Sequence, residues 1–373
     1  MIGWRPSDDV GRTASSRLRC LHLVRYLRRV GYPVEVFRQP RVKGYQLVVL
    51  GKPYDGATCR LADALKRRGV RIVIDICDNY FYNPGGIAAL ASAEGCLREL
   101  IRFADAVVVS TEALREVILG AIPAVPQLMV IGDPVETVEE LTGKSVSVQT
   151  SGQDAQRPPH RSLALRGMTS LVWFGISGSD RAHCGMTDLL RIRPFLEAVA
   201  STYPIALTVI SNSYSKFLST IKPFPLRTRY LPWRPKTFHR VLAEHDIAIL
   251  PISPNPFTWC KSSNRLATAL ATGVAVVADY VPSLEPFREM CVLGRWEEGL
   301  RGYLQNPSQR YRDVARAKVL IDAEFRSVSV SRQWQGLFEA LQHAGPQPGH
   351  IKASRWHDNR IEACAFGRTH RTQ

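Results

Sequence analysis

The sequence predicts an α/β chain made of two doubly wound domains that face a cleft. Three observations carry this expectation. Residues 1–136 alternate short β-branched strands with helical segments, the grammar of βαβ crossovers and a parallel sheet. The same grammar restarts near residue 171. Between the two halves, residues 137–168 are polar, with Ser, Gln, Gly and a Pro-Pro pair, and read as a linker or long loop. A chain of 373 residues also exceeds what one hydrophobic core usually serves.

The first half opens with a short strand at Ile2–Trp4 and a polar loop over residues 5–16. A helix is expected over about 16–30, with Ser15 or Ser16 as N-cap and Gly31 as its stop. Strands follow at Val34–Phe37 and Leu47–Leu50, then a helix at 57–68 ended by Gly69. Arg71–Ile76 is an apolar strand, 87–103 a helix and Ala106–Ser110 a strand. Thr111–Leu119 is helical, and Leu128–Ile131 is the last strand of this half.

In the second half, Leu171–Phe174 is a strand leading into the loop GISGSD. A helix at 186–200 precedes a strand at Ala206–Ser211. Tyr230–Trp233 is extended, 235–244 helical and Ile247–Pro251 a strand. A helix at 263–272 stops at Gly273, before a strand at Val274–Ala278. Helices fill 295–305, 308–323 and 330–342. The expected division is therefore 1–136, a linker at 137–168, a second domain at 169–343 and a basic, non-periodic, disordered tail at 344–373.

Composition narrows the function classes. Hydrophobic content of 45% and charged content of 22% are ordinary for a globular protein. The net charge of +16 favours anionic partners such as nucleic acid, acidic lipid or phosphorylated ligands. Residues 1–70 hold fifteen Lys/Arg against five Asp/Glu. Few aromatics interleave with these cations and no nucleic-acid motif appears, so no nucleic-acid partner is expected. Eight cysteines are scattered without CxxC pairs or zinc spacing and read as reduced thiols of a cytoplasmic protein. MIGWRPSDDVGR lacks an apolar h-region, and no run of about 18 apolar residues occurs, so neither signal peptide nor membrane span is expected.

Several stretches are recognisable in order along the chain: RTASSRLRCLHLVRYLRRVGYPVEV (12–36), VIDICDNYFY (73–82), DAVVVSTEALRE (105–116), VIGDPVE (130–136) and KSSNRLATALATGVAVVADYVPSLEPF (261–287). Together they resemble retaining GT-B glycosyltransferases of the glycosyltransferase-family-4-like kind (glycosyl transferases group 1). The resemblance covers about 1–343. It implies the GT-B fold, two doubly wound Rossmann-like domains, with acceptor on the first and nucleotide sugar on the second. It also implies a nucleotide-sugar donor, a glycan or lipid-linked acceptor, retention, no bound metal or other cofactor, and a role in polysaccharide or glycoconjugate synthesis. The family often carries two glutamates separated by seven residues. Here Cys260 and Thr268 stand at those places, and neither supplies a carboxylate. The Lys-x-x-Asn-Arg start of the donor helix resembles a subset of the family.

Candidate site residues follow from the chemistry such a transfer needs. A leaving diphosphate must be stabilised by cations or N–H donors. Lys261 precedes a helix beginning at Ser262 or Ser263, so its ammonium and the helix's free N–H groups converge on one place. Arg265 adds a planar fork and Asn264 an amide. An ordinary capped helix with a basic start is the plainer alternative. Gly175 and Gly178 follow a strand and let backbone N–H groups approach a phosphate, or simply make a tight turn. Asp75 and Asp78, with Asn79, end an apolar strand, where they can orient an acceptor hydroxyl or act as base, or else form an Asx turn. Arg17 sits with Ser16 where the first loop meets the first helix, reaching for a phosphate or acceptor, or is an exposed helix-start Arg. Trp233 and Asn212 follow strands where the family holds the nucleoside. A packing role is the alternative for Trp233. Arg25, Arg28 and Arg29 form the outer face of the first helix, either solvated or in peripheral contact with an anionic membrane.

Overall fold

The computed structural model describes residues 1–8, 11, 13–38, 44–136, 167–179 and 182–343. The expected linker lies outside the described residues except at 167–168, and the expected tail lies wholly outside. The same is true of Asp180 in the glycine loop.

Two parallel six-stranded sheets form the framework. The first contains β1 (Ile2–Arg5), β2 (Val34–Val36), β3 (Leu47–Leu50), β4 (Arg71–Ile76), β5 (Ala106–Val109) and β6 (Gln127–Val130). Its order is β2-β1-β3-β4-β5-β6. The second contains β7 (Thr169–Phe174), β8 (Ile205–Ser211), β9 (Arg227–Pro232), β10 (Ile247–Leu250), β11 (Ala275–Ala278) and β12 (Val292–Leu293). Its order is β12-β11-β10-β7-β8-β9. Within each sheet the order reverses beside its first strand, and ligands of doubly wound sheets sit beyond the strand ends at such points.

The central strands are apolar throughout because helices cover both sheet faces. Every residue of β3, β5, β10 and β11 is buried. Helices Gly56–Lys66, Ala88–Phe103 and Glu112–Ala121 cover one face of the first sheet through Leu65, Leu100, Leu114 and their neighbours. The other face is covered by the first helix and by Ser327–His343, the last described helix. That helix falls within the expected second domain, 169–343, yet packs on the first sheet. Trp334 lies 4.5 Å from Trp4, ring centre to ring centre. The crossings are tied together where Val135 N–H donates to the Phe325 carbonyl at 2.8 Å.

Most elements stand where the sequence places them, with informative exceptions. The first helix begins at Ala14, capped by Thr13 rather than Ser15 or Ser16. Thr13 is extended, so its hydroxyl can accept from Ser16 N–H. The helix passes through a π-helical stretch, Arg17–His22, before continuing as Leu23–Arg29. That stretch puts Arg19 and His22 among the buried residues with Leu18 and Cys20. Helices Tyr214–Thr220 and Pro256–Trp259 were not expected. Both are short and rest on N-caps, Ser213 and Asn255, rather than on a long apolar periodicity. Among the described residues no helix is long and apolar enough to cross a membrane.

Candidate functional site

Residues just past the strand ends of the first sheet meet those past the strand ends of the second. Asn79, after β4, donates to the Pro256 carbonyl at 3.0 Å. Thr111, after β5, donates to the Cys260 carbonyl at 3.1 Å. Ser262, after β10, donates to Asp133, after β6, at 2.6 Å. The two sheets therefore point their carboxyl ends at a shared seam, and the candidate residues lie along it.

Two ion networks occupy the first-domain side. In one, Asp78 accepts from Lys261 at 2.5 Å and from Lys52, a residue that follows β3. Burial would raise the Asp78 carboxyl, but Lys261 and Lys52 outweigh it and hold the group well below the usual carboxylate range. In the other, the buried Arg19 guanidinium donates to both oxygens of Asp75, the shortest contact being 2.6 Å. Arg19 also reaches Asp133 and the Ile131 carbonyl, each at 2.9 Å. Burial pushes the Asp75 carboxyl upward, and Arg19 opposes that shift. Ser262 extends this network to the residue before the helix N-cap, Ser263. Beside both networks, Arg5, Ser7, Ser15, Gly51, Lys52 and Asp75 line an open hollow at the ends of β1, β3 and β4.

On the second-domain side, helix Asn264–Ala271 aims its first residues at the end of β7. Arg265 donates to the Phe174 carbonyl at 3.3 Å. Among the described residues it makes no ion pair. Burial pushes its guanidinium down from the ordinary arginine range, with Asp188 opposing. The Asn264 side-chain nitrogen is buried and lacks a hydrogen-bond partner among the described residues. Gly175 lies against this guanidinium, since a β-carbon there would stand 3.3 Å from Arg265 Nη1. Asp188 anchors the loop after β7 by accepting from Gly185 N–H at 2.9 Å and from the Ser253 hydroxyl.

Gly178 and Gly185 approach each other closely after β7. Gly185 has φ +98°, and a β-carbon there would lie 2.8 Å from Gly178 Cα. Gly185→Ala therefore combines a left-handed backbone with a backbone clash. Such strain costs about 1–3 kcal/mol, and a lowered thermal midpoint with faster amide exchange at 175–179 and 182–188 is the expected result. An unchanged midpoint and exchange pattern would count against a rigid loop.

The remaining candidates meet elsewhere along the seam. Arg17 pairs with Glu136 at 2.8 Å and lies 4.9 Å from the centre of the Trp233 ring. Trp233 is half-buried against Phe238. Asn212 accepts from Ser177 N–H at 2.8 Å, tying the end of β8 to the glycine loop. Cys260 is buried in the first domain's core cluster, and Thr268 is buried in helix Asn264–Ala271. The structure thus forms four groups: Asp78 with Lys261, Asp75 with Arg19, Gly175 with Arg265, and Arg17 with Trp233. Sequence reasoning missed Arg19, Lys52, Asp133, Asp188 and Ser262. Lys52 carried a readable signal, because it follows an apolar strand just as Asp78 does. Arg19 carried none, because its inward position depends on the π-helical stretch. Among the described residues no group of three or more His, Cys, Asp and Glu could hold a metal ion.

Two parallel six-stranded sheets with this facing arrangement constitute the GT-B fold, as solved glycosyltransferase structures show. Sucrose-phosphate synthase from Thermosynechococcus elongatus matches with a TM-score of 0.63 and 13% identity, over 92% of this chain and 99% of that one. WaaG, a glycosyltransferase involved in lipopolysaccharide biosynthesis, matches at 0.60 and 11%, over 90% and 99%. A trehalose-6-phosphate structure from E. coli bound with UDP-2-fluoro glucose matches at 0.56 and 13%, over 83% and 75%. No family model and no curated protein matches the chain.

Proposed function

We propose that the protein transfers a sugar from a nucleotide-sugar donor to a glycan or lipid-linked acceptor, with retention, in polysaccharide or glycoconjugate synthesis. The observation that carries this reading is the Arg265 guanidinium. It is half-buried, desolvation pushes it down from the ordinary arginine range, it holds one carbonyl contact at 3.3 Å, and no carboxylate pairs with it among the described residues. A partly desolvated charge without a counter-ion is unfavourable, and a bound diphosphate supplies that counter-ion. The unpartnered Asn264 amide and the Gly175 backbone stand beside it. The likeness to a fold that holds UDP-2-fluoro glucose supports a nucleotide-sugar ligand.

In this reading Arg265 and Asn264 hold the diphosphate, with Gly175 and Gly178 allowing backbone approach. Lys261 turns from Asp78 to the phosphate and offsets the charge of the leaving group. Asp78 then loses one of its two cations and becomes a better acceptor for the proton of the attacking hydroxyl. Asp75 acts through Arg19, fixing Asp133 and with it Ser262 near the donor helix. Trp233 shields the nucleoside, and Arg17 beneath it reaches toward donor or acceptor. No metal or other bound cofactor enters the scheme. Retention follows from the family resemblance. The protein works in the cytoplasm, and exposed Arg25, Arg28 and Arg29 give it peripheral contact with anionic membrane surfaces.

Calorimetry with UDP-, GDP- and ADP-sugars tests the donor site. Hydrogen bonds to charged groups contribute about 1.5–3 kcal/mol each, so Arg265→Ala is expected to weaken the preferred donor by roughly 10- to 100-fold. The double variant Lys261→Ala with Arg265→Ala is expected to weaken it further. Wild-type affinity in the double variant would rule the cradle out. A second reading, a non-catalytic nucleotide- or glycan-binding protein, is favoured by Cys260 and Thr268, which place no carboxylate beside the donor helix. Sugar transfer or donor hydrolysis by the purified protein excludes it.

A further inference from the structure

The second domain has another pocket, separate from the groups above. It lies beyond the ends of β10 and β11 and is lined by Arg191, Ile252, Pro254, Trp259, Tyr280 and Val281, with Thr258 and Asp279 at its polar edge. Lys261, Asn264, Arg265 and the glycine loop do not line it. Its volume is about 140 Å³. Sites for drug-sized ligands occupy roughly 300–1,000 Å³, so this one has room for a single ring rather than a nucleotide.

Two features show a built surface. Trp259 and Tyr280 are 46% and 37% exposed, and their rings meet at 6.1 Å and 69°. Arg288 covers one face of Tyr280, at 5.3 Å. Large aromatic rings left open to water are costly unless something apolar covers them. The polar edge is held in place. Asp279 accepts from Trp296 Nε1 at 2.9 Å, from Ile252 N–H at 2.8 Å and from Arg191 Nη1 at 2.9 Å. Arg191 also donates through Nη1 to the Ile252 carbonyl at 2.6 Å. Both bonds use one nitrogen, so the rest of the partly exposed guanidinium remains available as a fixed donor edge.

A ligand that fits must offer an apolar face to the rings and acceptor oxygens at its rim, within the size of one ring. A pyranose does this: its C–H face lies on an aromatic ring, while its hydroxyls ring the edge. A protein partner is disfavoured, because stable interfaces cover about 800 Å² per side and this patch amounts to two rings. We infer that the Trp259–Tyr280 pocket binds a hexose unit of a glycan. This deepens the proposed function, since Trp259 precedes Lys261 by two residues and a glycan held there passes the mouth of the donor site.

The test uses the full chain without nucleotide. Saturation-transfer NMR and tryptophan fluorescence are recorded with maltohexaose, cellohexaose and N-acetylchitohexaose. At least one is expected to bind, with Trp259→Ala and Tyr280→Ala each weakening it by about tenfold. Both side chains are substantially exposed, so their truncation spares the core, and unchanged thermal midpoints confirm that. Arg265→Ala is expected to leave glycan binding intact. Failure of all three oligosaccharides to bind, or undiminished binding by Trp259→Ala, overturns the inference. Donor calorimetry on the same variants reads the donor site separately, so loss of one result does not mimic loss of the other.

Discussion

Trp334→Ala is expected to lower the unfolding free energy by about 3–5 kcal/mol, the range for truncating a buried Trp or Phe. Trp334 is fully buried, 4.5 Å from Trp4 and 5.7 Å from Phe338. Removing the indole leaves a cavity between the last helix and β1, where neighbours are already close-packed. The loss should be local as well as global. Amide exchange is expected to quicken first in Ser327–His343 and in the first sheet, and least in β10 and β11. The helix is held to the first domain by this contact and by the 2.5 Å bond between His22 and Ser327. A variant whose midpoint and exchange pattern match wild type would show that the helix is docked by something else.

Arg19→Met is expected to cost a similar amount, about 3–5 kcal/mol for breaking a buried ion pair. Methionine fills most of the volume but leaves Asp75 and Asp133 facing each other without their shared guanidinium. The sign of the pH effect is fixed by the carboxyls. Burial already raises the Asp75 carboxyl above its ordinary value, and without Arg19 it loses its main counter-charge, so its folded pKa rises further above the unfolded value. A carboxyl raised on folding favours the folded state below its unfolded pKa and loses that contribution as pH rises through the folded pKa. The deficit of Arg19→Met relative to wild type should therefore be largest near pH 7 and shrink as pH falls toward the carboxylate range. Denaturant melts across that range read it directly. A deficit independent of pH would mean that Arg19 acts by packing alone. Adding Asp75→Asn should recover part of the loss, because it removes the stranded charge.

The elements were largely legible because strands and helices here obey the simple periods. Arg71–Ile76 and Ala106–Val109 read as buried parallel strands because consecutive β-branched residues suit a sheet covered on both faces. The start of helix Asn264–Ala271 was legible for a different reason. Lys261, Asn264 and Arg265 bracket a helix N-terminus, and that arrangement has a meaning for anions before any fold is known. Short capped helices such as Pro256–Trp259 were hidden, since four residues cannot establish a period. The docking of Ser327–His343 was hidden too. Its apolar stripe announces that it is buried, and any apolar sheet face satisfies such a stripe.

The candidate site divides in the same way. The two α/β halves, most of their strands and the cationic opening of the helix at 264 were readable from the residues alone, whereas strand Val292–Leu293 was not. How those cations are paired came from the folded arrangement. Lys261 is paired with Asp78 across 183 positions of chain, whereas Arg265 makes no ion pair among the described residues. The physical reason is that an ion pair depends on separation in space and on burial. For segments so far apart in sequence, both are set by how the two sheets meet along their carboxyl ends, which no local pattern of residues encodes.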